Sequence, residues 1–356
     1  MKKFLIALCL LACSFSVSAG NIKEIIFFGD SLSDSGNLYA AMLHIIPKSP
    51  PYFEGRFSNG PVWAEHVAGY YRNKYGIGSH NYAVGGATAV FKNPFKGYLP
   101  FAVDEEITNY LVATAFQDRS ETLCIIWIGA NDYLNGAENI DSATTATVKQ
   151  TIYITTRLIK HGVKHFMFLN LPDLSKTPLA KLVDYSSSLH TISVLHNLKM
   201  ATALDQVAKE HKDVKIISYD VMTLFSDMVS NIGKYNQKYK THIKNTGDAC
   251  WNGGYTLKAN KYSQEQMLGM ELTQTFKNHP SLATNNVNVQ ALAHHILSSP
   301  DLAEAYNVGN LAADGAHSCS NPDDYLFWDH VHPSEAAHQI MTGIVIETLH
   351  REGMVG

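Results

Sequence analysis

The sequence predicts a three-layer α/β/α sandwich around a mainly parallel, five-stranded sheet. Strand-like apolar runs alternate five times with segments of helical period, the pattern of parallel strands joined by crossover helices. The runs are almost continuously apolar, as expected for strands covered on both faces. Polar residues directly follow several runs, at the sheet edge where open α/β sheets bind their ligands. The 356 residues suffice for one large core with an insertion.

The amino terminus predicts export of the chain. Two lysines precede a mostly apolar run, and small residues follow it before Gly20, so residues 1–19 are predicted to be a signal peptide. Acylation at Cys13 is an alternative, and the run is too short for a membrane-spanning helix. We therefore expect residues 20–356 to form a single secreted domain, periplasmic or extracellular.

Composition excludes several classes of protein. The formal net charge is −4, and about −6 without the two lysines of the predicted signal peptide. Such a chain is not expected to capture nucleic acid or an anionic membrane surface through charge. No later segment is long and apolar enough to span a bilayer. The sequence also lacks C-x-x-C and H-E-x-x-H motifs, so we expect neither a metal nor a cofactor.

The first strand is predicted at residues 25–28, four β-branched or aromatic residues that end at Gly29. Small polar side chains follow at once, and Ser31, two residues past the strand, is the candidate nucleophile. Gly-Asp-Ser also fits an ordinary turn. A catalytic serine needs a base and donors for an oxyanion, so the rest of the chain has to supply them.

The next stretch carries short helices and polar loops. Residues 38–46 can form one or two helical turns before a proline-rich segment, and Pro61 is predicted to start a second helix. Arg56 lies in the loop between them. It could reach a substrate, but we favour a structural role in tying loops together.

Residues 81–88 predict a short strand that breaks into Gly85 and Gly86. Paired glycines let backbone N–H groups point into a cavity, as an oxyanion donor requires, although they can equally mark close packing. Residues 122–132 are the most strand-like run of the chain and end similarly in a polar turn. Asn131 follows this strand as Ser31 follows the first; its amide could bind a negative charge or form an Asx turn.

The alternation of helical and strand-like segments then continues without further candidate catalytic residues. Helical and strand-like segments are predicted at residues 148–161, 164–170, 198–212 and 214–219.

Regularity stops in an insertion at about residues 245–320, which contains two plausible helices at residues 263–276 and 287–297. Cys250 and Cys319 lie near its ends in loop-like surroundings, and a disulfide between them is the natural pairing in an exported protein. Cys124 instead lies within an apolar run, as a buried small side chain does. The insertion fits either a lid over a site or a stabilising surface appendage.

The carboxyl-terminal motif supplies the missing base. Asp329, His330 and His332 immediately precede a helix predicted at residues 334–349, opened by Pro333. A histidine and an orienting carboxylate three positions apart on one loop can face the carboxyl edge of the sheet.

These motifs together resemble the GDSL, or SGNH, hydrolase family. The resemblance rests on GDSL at residues 29–32, the glycine-containing block at 81–86, GAND at 129–132 and DHVHP at 329–333, all in the family's order. The longer GDSLSDSGN is similar to the lipolytic branch that includes secreted bacterial lysophospholipases and glycerophospholipid:cholesterol acyltransferases. The insertion is longer than in many relatives. The resemblance implies the flavodoxin-like SGNH fold.

The resemblance also implies roles for individual residues. Ser31 would be the nucleophile, His332 its general base and then acid, and Asp329 the group that orients the imidazole. The backbone N–H groups of Ser31 and Gly86 and the amide of Asn131 would form the oxyanion hole. Gly85 is the alternative backbone donor and His330 the alternative base.

The expected activity is that of a secreted lipolytic esterase, a phospholipase A or lysophospholipase with acyltransferase activity toward a sterol as a second fate of the acyl-enzyme. An aromatic-rich loop could line an acyl slot or pack in the core: Phe91, Phe95, Tyr98, Leu99 and Phe101. A short-chain or carbohydrate esterase is the alternative enzyme, and an inactive secreted binding protein is the non-enzymatic alternative. We expect a monomer that acts on a lipid ester.

Overall fold

The computed structural model describes residues 22–90, 101–251, 263–278, 287–313 and 317–355. Several predicted features lie outside the described residues: the signal peptide at 1–19 and, in the aromatic-rich loop, Phe91, Phe95, Tyr98 and Leu99.

Five parallel strands form the central sheet. They are β1 (Glu24–Gly29), β2 (Gly78–Asn81), β3 (Thr122–Trp127), β4 (His165–Leu169) and β5 (Lys215–Tyr219). Their order across the sheet is β2-β1-β3-β4-β5. This is the flavodoxin-like order, and it reverses between β1 and β3, where open α/β sheets form their ligand crevice. The predicted fold class is confirmed.

Two helical layers cover the sheet. The helices in chain order are α1 (Asn37–Ala41), α2 (Trp63–Tyr75), α3 (Val103–Ala113), α4 (Ile140–Lys160), α5 (Ser186–Glu210), α6 (Val221–Tyr239), α7 (Gln264–Asn278), α8 (Val289–Ser298), α9 (Pro300–Ala313) and α10 (Glu335–Arg351). Helices α2, α6 and α10 share a core with Ile25 and Phe27 of β1, whereas α3, α4 and α5 pack against Ile26 and Phe28. Successive side chains of a strand point to opposite faces, so β1 is buried on both sides.

Capping residues shift two predicted helix starts. Helix α4 begins eight positions before the predicted residue 148, because the side chain of Asn139 accepts a hydrogen bond from the Ser142 N–H and caps the helix there. Helix α10 begins after Ser334, whose hydroxyl caps it, and not at Pro333. Hydrophobic period alone does not mark such starts.

Other differences concern helix α5, which begins at Ser186 and not at the predicted residue 198, and the connections around β2. The strand predicted within residues 81–88 instead ends at Asn81, although the next N–H, that of Tyr82, still bonds the Phe27 carbonyl at 2.9 Å. Helix α2 begins at Trp63 and not at Pro61.

The segment between the two cysteines carries its own small core. Cys250 and Cys319 form a disulfide, the pair expected from the sequence, while Cys124 is a buried free thiol. Strands β6 (Asn245–Ala249) and β7 (Tyr325–Phe327) pair in parallel next to it. Helices α7, α8 and α9 bury apolar side chains against the loop that follows β1. Of the helices described, none has the length and apolar character to cross a membrane.

Candidate active site

A tight turn presents Ser31 at the carboxyl end of β1. Ser33 and Asp34 donate their N–H groups to the Asp30 carbonyl at 2.9 and 3.0 Å, which closes the turn. Gly29 passes so close to the carbonyl of Trp127 on β3 that a side chain would collide with it. Ser31 is buried and lies two residues beyond the end of β1, which pairs with β3 as far as Gly29 and Trp127.

The structure brings Ser31 together with His332 and Asp329, which lie about three hundred positions away in the sequence. His332 Nε2 lies 2.9 Å from Ser31 Oγ, and His332 Nδ1 lies 2.7 Å from Asp329 Oδ2. The other carboxylate oxygen, Oδ1, accepts the N–H groups of Val331 at 2.8 Å and His332 at 2.6 Å. The three side chains therefore form a continuous hydrogen-bonded relay.

Charge favours an ionised Asp329 beside His332. Burial opposes ionisation of Asp329, but attraction to His332 and hydrogen bonds from His332 and Tyr52 hold its pKa below the ordinary value. Burial likewise opposes a charged imidazole, yet Asp329 raises the pKa of His332 above its usual value, with Asp301 and Glu304 adding to the effect. His332 is thus a stronger base than a free imidazole.

The glycine pair lies beside this relay and is oriented by Asp34. The Asp34 carboxylate accepts the Gly85 N–H at 2.8 Å as well as three N–H groups at the start of α1. Burial raises the pKa of Asp34 to about 6, and these donors oppose the shift. Because the N–H of Gly85 is occupied by Asp34, the geometry favours Gly86 as the backbone donor to a ligand. Gly86 has φ +76°, a conformation that glycine adopts readily.

Asn131 lies across the same opening, in the loop after β3. Its amide nitrogen donates to the Ala87 carbonyl at 3.0 Å, which fixes the side chain next to the glycine loop. The neighbouring Asp132 accepts the N–H groups of Ala89 and Val90 at 2.8 and 2.9 Å. Two backbone contacts from one carboxylate thus hold the Asn131 loop and the glycine loop at a fixed separation.

His330, the alternative base, is engaged elsewhere. Its Nδ1 lies 2.6 Å from Glu304 Oε1 on α9, and its backbone N–H bonds the same oxygen at 3.2 Å. Burial raises the pKa of Glu304 to about 7, and the contact with His330 opposes that shift. The geometry therefore favours His332 over His330 as the partner of Ser31.

Helix α9 lies directly over the glycine loop. A side chain at Gly86 would come within 2.6 Å of Leu302, so Leu302 packs closely against this glycine. Asp301 is fully buried beside His332, and neither of its carboxylate oxygens has a hydrogen-bond partner among the residues that the structure describes. Burial accordingly raises the pKa of Asp301.

A pocket lies beside Ser31 and Asn131, and none of its lining residues belongs to α9. Most of its wall is apolar, from Leu32, Trp127, Leu134, Leu174, Phe225, Phe327 and Val331. Such a wall suits a hydrocarbon chain. Polar side chains also line it: Ser31 and Asn131 at the candidate site, and Asp173, Lys176 and Thr177 from the segment after β4.

The remaining predicted residues have structural contacts. Arg56 forms a two-point contact with Glu65, at 2.6 and 3.1 Å, and donates to the Glu54 carbonyl, as its structural interpretation predicts. Phe101 is fully buried and packs against His295 of α8, 4.9 Å between ring centres, so it belongs to the core.

Sequence reasoning missed three side chains that approach the relay: Tyr52, Asp301 and Glu304. Tyr52 lies a few positions before the polar loop of Arg56, and only that proximity could have drawn attention to it. Both acids lie on the unpredicted helix α9.

A parallel α/β sheet that carries a hydrogen-bonded serine, imidazole and carboxylate at its carboxyl edge is an arrangement used by serine hydrolases. The chain belongs to the GDSL-like Lipase/Acylhydrolase family, whose sequence profile matches residues 25–344. The resemblance noted from the sequence motifs is therefore confirmed, and the protein is a hydrolytic enzyme of the GDSL type.

Individual relatives are similar over most of the chain. A phosphatidylcholine-sterol acyltransferase of Aeromonas hydrophila is 30% identical over 96% of this chain and 95% of its own. A thermolabile hemolysin of Vibrio parahaemolyticus is 25% identical over 92% of this chain and 64% of its own. Among solved structures, an acetylxylan esterase from Geobacillus stearothermophilus has a TM-score of 0.37 at 14% identity, covering 59% of this chain and 80% of its own. That structural similarity bears on neither substrate nor mechanism.

Proposed function

We propose that this protein is a secreted lipolytic esterase, a phospholipase A or lysophospholipase, that acts through an acyl-enzyme on Ser31. The observation that carries the proposal is the relay of Ser31, His332 and Asp329, with Ser31 in the wall of a mostly apolar pocket. The similarity to a phosphatidylcholine-sterol acyltransferase over nearly the whole chain supports a lipid ester as substrate. The disulfide supports export to the periplasm or beyond.

Each residue has a defined part in the proposed reaction. His332 Nε2 takes the proton of Ser31 as Oγ bonds to the ester carbonyl carbon, and the N–H groups of Ser31 and Gly86 and the Asn131 amide bind the resulting oxyanion. The imidazolium, which Asp329 stabilises, then gives its proton to the leaving alcohol as the ester C–O bond breaks. Ser31 is left acylated.

The acceptor decides the product. Water, deprotonated by His332, attacks the acyl-enzyme and releases a fatty acid together with free Ser31. A sterol hydroxyl in the place of water gives a sterol ester from the same intermediate. Hydrolysis and acyl transfer are therefore two fates of one species.

We also propose that the segment between the two cysteines acts as a lid. The support is that Leu302 of α9 packs directly against Gly86, the candidate backbone donor, so this helix lies next to the oxyanion position. Helix α9 is held against the loop at residues 329–333, here called the catalytic loop, through the contact of Glu304 with His330.

Asn131→Ala is expected to lower kcat by about 10²- to 10³-fold, the usual effect of removing one oxyanion donor. The fold should persist, because the side chain is only half-buried and makes one hydrogen bond to a backbone carbonyl. Steady-state kinetics and thermal unfolding measure the two effects. Asn231→Ala, which removes an exposed amide on α6, is the control and should leave kcat unchanged. A rate for Asn131→Ala equal to that of the wild type would contradict its role as a donor.

The apolar pocket predicts a preference for long acyl chains. We expect kcat/KM to rise from acetyl to long-chain p-nitrophenyl esters and to be high on lysophospholipids. Phe225→Trp places a larger side chain in the wall and so narrows the pocket. It should lower kcat/KM for the long-chain ester about tenfold, the effect of no longer burying one or two methylene groups of the acyl chain. The acetyl ester should be turned over at the wild-type rate.

Phe116 offers a matched control, because it is fully exposed on the surface. Phe116→Trp should leave the whole chain-length profile unchanged. A wild-type preference for acetyl esters would favour the short-chain or carbohydrate esterase instead. An equal loss on acetyl and long-chain esters in Phe225→Trp would show that the pocket does not hold the acyl chain.

A further inference from the structure

We propose that Tyr52 is a positioning residue for the reaction, a fourth member of the relay that fixes the carboxylate of Asp329 and thereby the imidazole of His332. The inference rests on the proposed function, in that Ser31 and His332 are taken as the reacting groups. It adds a residue that neither the motifs nor the family match assigns.

The contact is short, buried and shared. The Tyr52 hydroxyl lies 2.7 Å from Asp329 Oδ2, the same oxygen that lies 2.7 Å from His332 Nδ1. Burial, and then the charge of Asp329, raises the pKa of Tyr52 well above its ordinary value. The phenol therefore keeps its proton and donates to the carboxylate. With the two backbone N–H groups on Oδ1, this carboxylate accepts hydrogen bonds from four donors in the described part of the chain.

The ring of Tyr52 is held as firmly as its hydroxyl. It is 2% exposed and packs against Phe57 and Trp328, each 6.2 Å away between ring centres. Phe57 in turn lies 5.0 Å from the His332 ring. A phenol that cannot rotate away fixes Oδ2 in place, and a fixed Oδ2 selects one orientation and one tautomer of the imidazole.

The phenol also moderates the charge that His332 meets. A hydrogen bond from Tyr52 draws part of the negative charge of Oδ2 toward itself, so less remains to stabilise the imidazolium. Without the phenol, we expect the pKa of His332 to rise, so that the base is protonated over a wider range of pH. The other titratable groups near His332 are Asp30, Asp301, Glu304, His330 and His338, and all keep their side chains in a variant changed only at Tyr52. Asp301 and Glu304 also interact with Tyr52 itself.

Tyr52→Phe tests the inference because it removes the hydroxyl and keeps the ring. The measurement is the rate at which a small fluorophosphonate, diisopropyl fluorophosphate, labels Ser31 as a function of pH. This probe reports the activated serine and does not depend on which ester is the natural substrate. We expect labelling about tenfold slower near neutral pH and an acid limb displaced upward by about half a pH unit, since each unit corresponds to a factor of ten in the protonation equilibrium. Thermal unfolding establishes that the variant is folded.

Tyr71→Phe is the matched control, because Tyr71 is also fully buried and its hydroxyl has no hydrogen-bond partner among the described residues. It should change neither the rate nor the pH profile. In an Asp329→Asn background, Tyr52→Phe should alter the labelling rate by less than about twofold, because the two residues act through one hydrogen bond.

Two results would overturn the inference. A folded Tyr52→Phe protein with the wild-type rate and pH profile would show that the phenol does not position Asp329. A loss that is equally large in the Asp329→Asn background would assign the effect to packing. Failure of the wild-type protein to label would instead contradict Ser31 as the nucleophile, and with it the proposed function.

Discussion

Ser31→Ala is expected to lower kcat by about 10⁴-fold or more, because no acyl-enzyme can form without the hydroxyl. The fold should remain, since among the described residues the Ser31 side chain makes one hydrogen bond, to His332. Hydrolysis of a p-nitrophenyl ester measures the rate, and circular dichroism during heating measures stability.

Ser33→Ala is the control for that experiment. Ser33 lies in the same turn, is equally buried, and its hydroxyl has no hydrogen-bond partner within the part of the chain that is described. It should keep the wild-type rate to within a few-fold. If Ser31→Ala retained substantial activity, or if kcat fell as far in Ser33→Ala as in Ser31→Ala, Ser31 would not be the nucleophile.

His332→Ala is expected to have an effect of similar size, about 10⁴-fold or more in kcat, because a serine without its base is a poor nucleophile.

The dependence of the wild-type rate on pH should also identify His332 as the base. The pKa of His332 is raised above its ordinary 6.5, and only the neutral imidazole can accept the proton of Ser31. Activity should therefore be low at acidic pH and rise through a midpoint above 6.5. A midpoint below 6.5 would contradict this environment for the base.

His330→Ala distinguishes between the two histidines of the motif. His330 contacts Glu304 on α9 and makes no hydrogen bond to Ser31 among those the structure shows, so we expect its loss to lower kcat by less than about tenfold. It should mainly lower the melting temperature, because Glu304 is left buried without its partner. A reversal of the two activities would exchange the roles of His330 and His332.

The relay and the sheet could be predicted from the sequence because local chemistry and the fold agree there. Ser31 and Asn131 each follow an apolar strand, and parallel strands bring their carboxyl ends to one edge. The place of His332 at the same edge came from the order of the family motifs. Its 2.9 Å contact with Ser31 spans 301 positions, a separation that no local pattern specifies.

Helix α9 could not be predicted for a physical reason. Residues 300–309 are all buried, Asp301 and Glu304 as well as the apolar side chains between them, so no alternation of apolar and polar faces marks the helix in the sequence. The acids are buried because they face the catalytic loop, a contact that exists only after the chain has folded. Tyr52 escaped notice similarly, because its partner Asp329 is 277 positions away.

Mass spectrometry of the protein after reaction with a fluorophosphonate tests most directly whether Ser31 is an activated nucleophile. A single adduct on the peptide that contains Ser31, present in the wild type and absent from His332→Ala, is the predicted result. An adduct on another serine, or none on the folded wild-type protein, would contradict it.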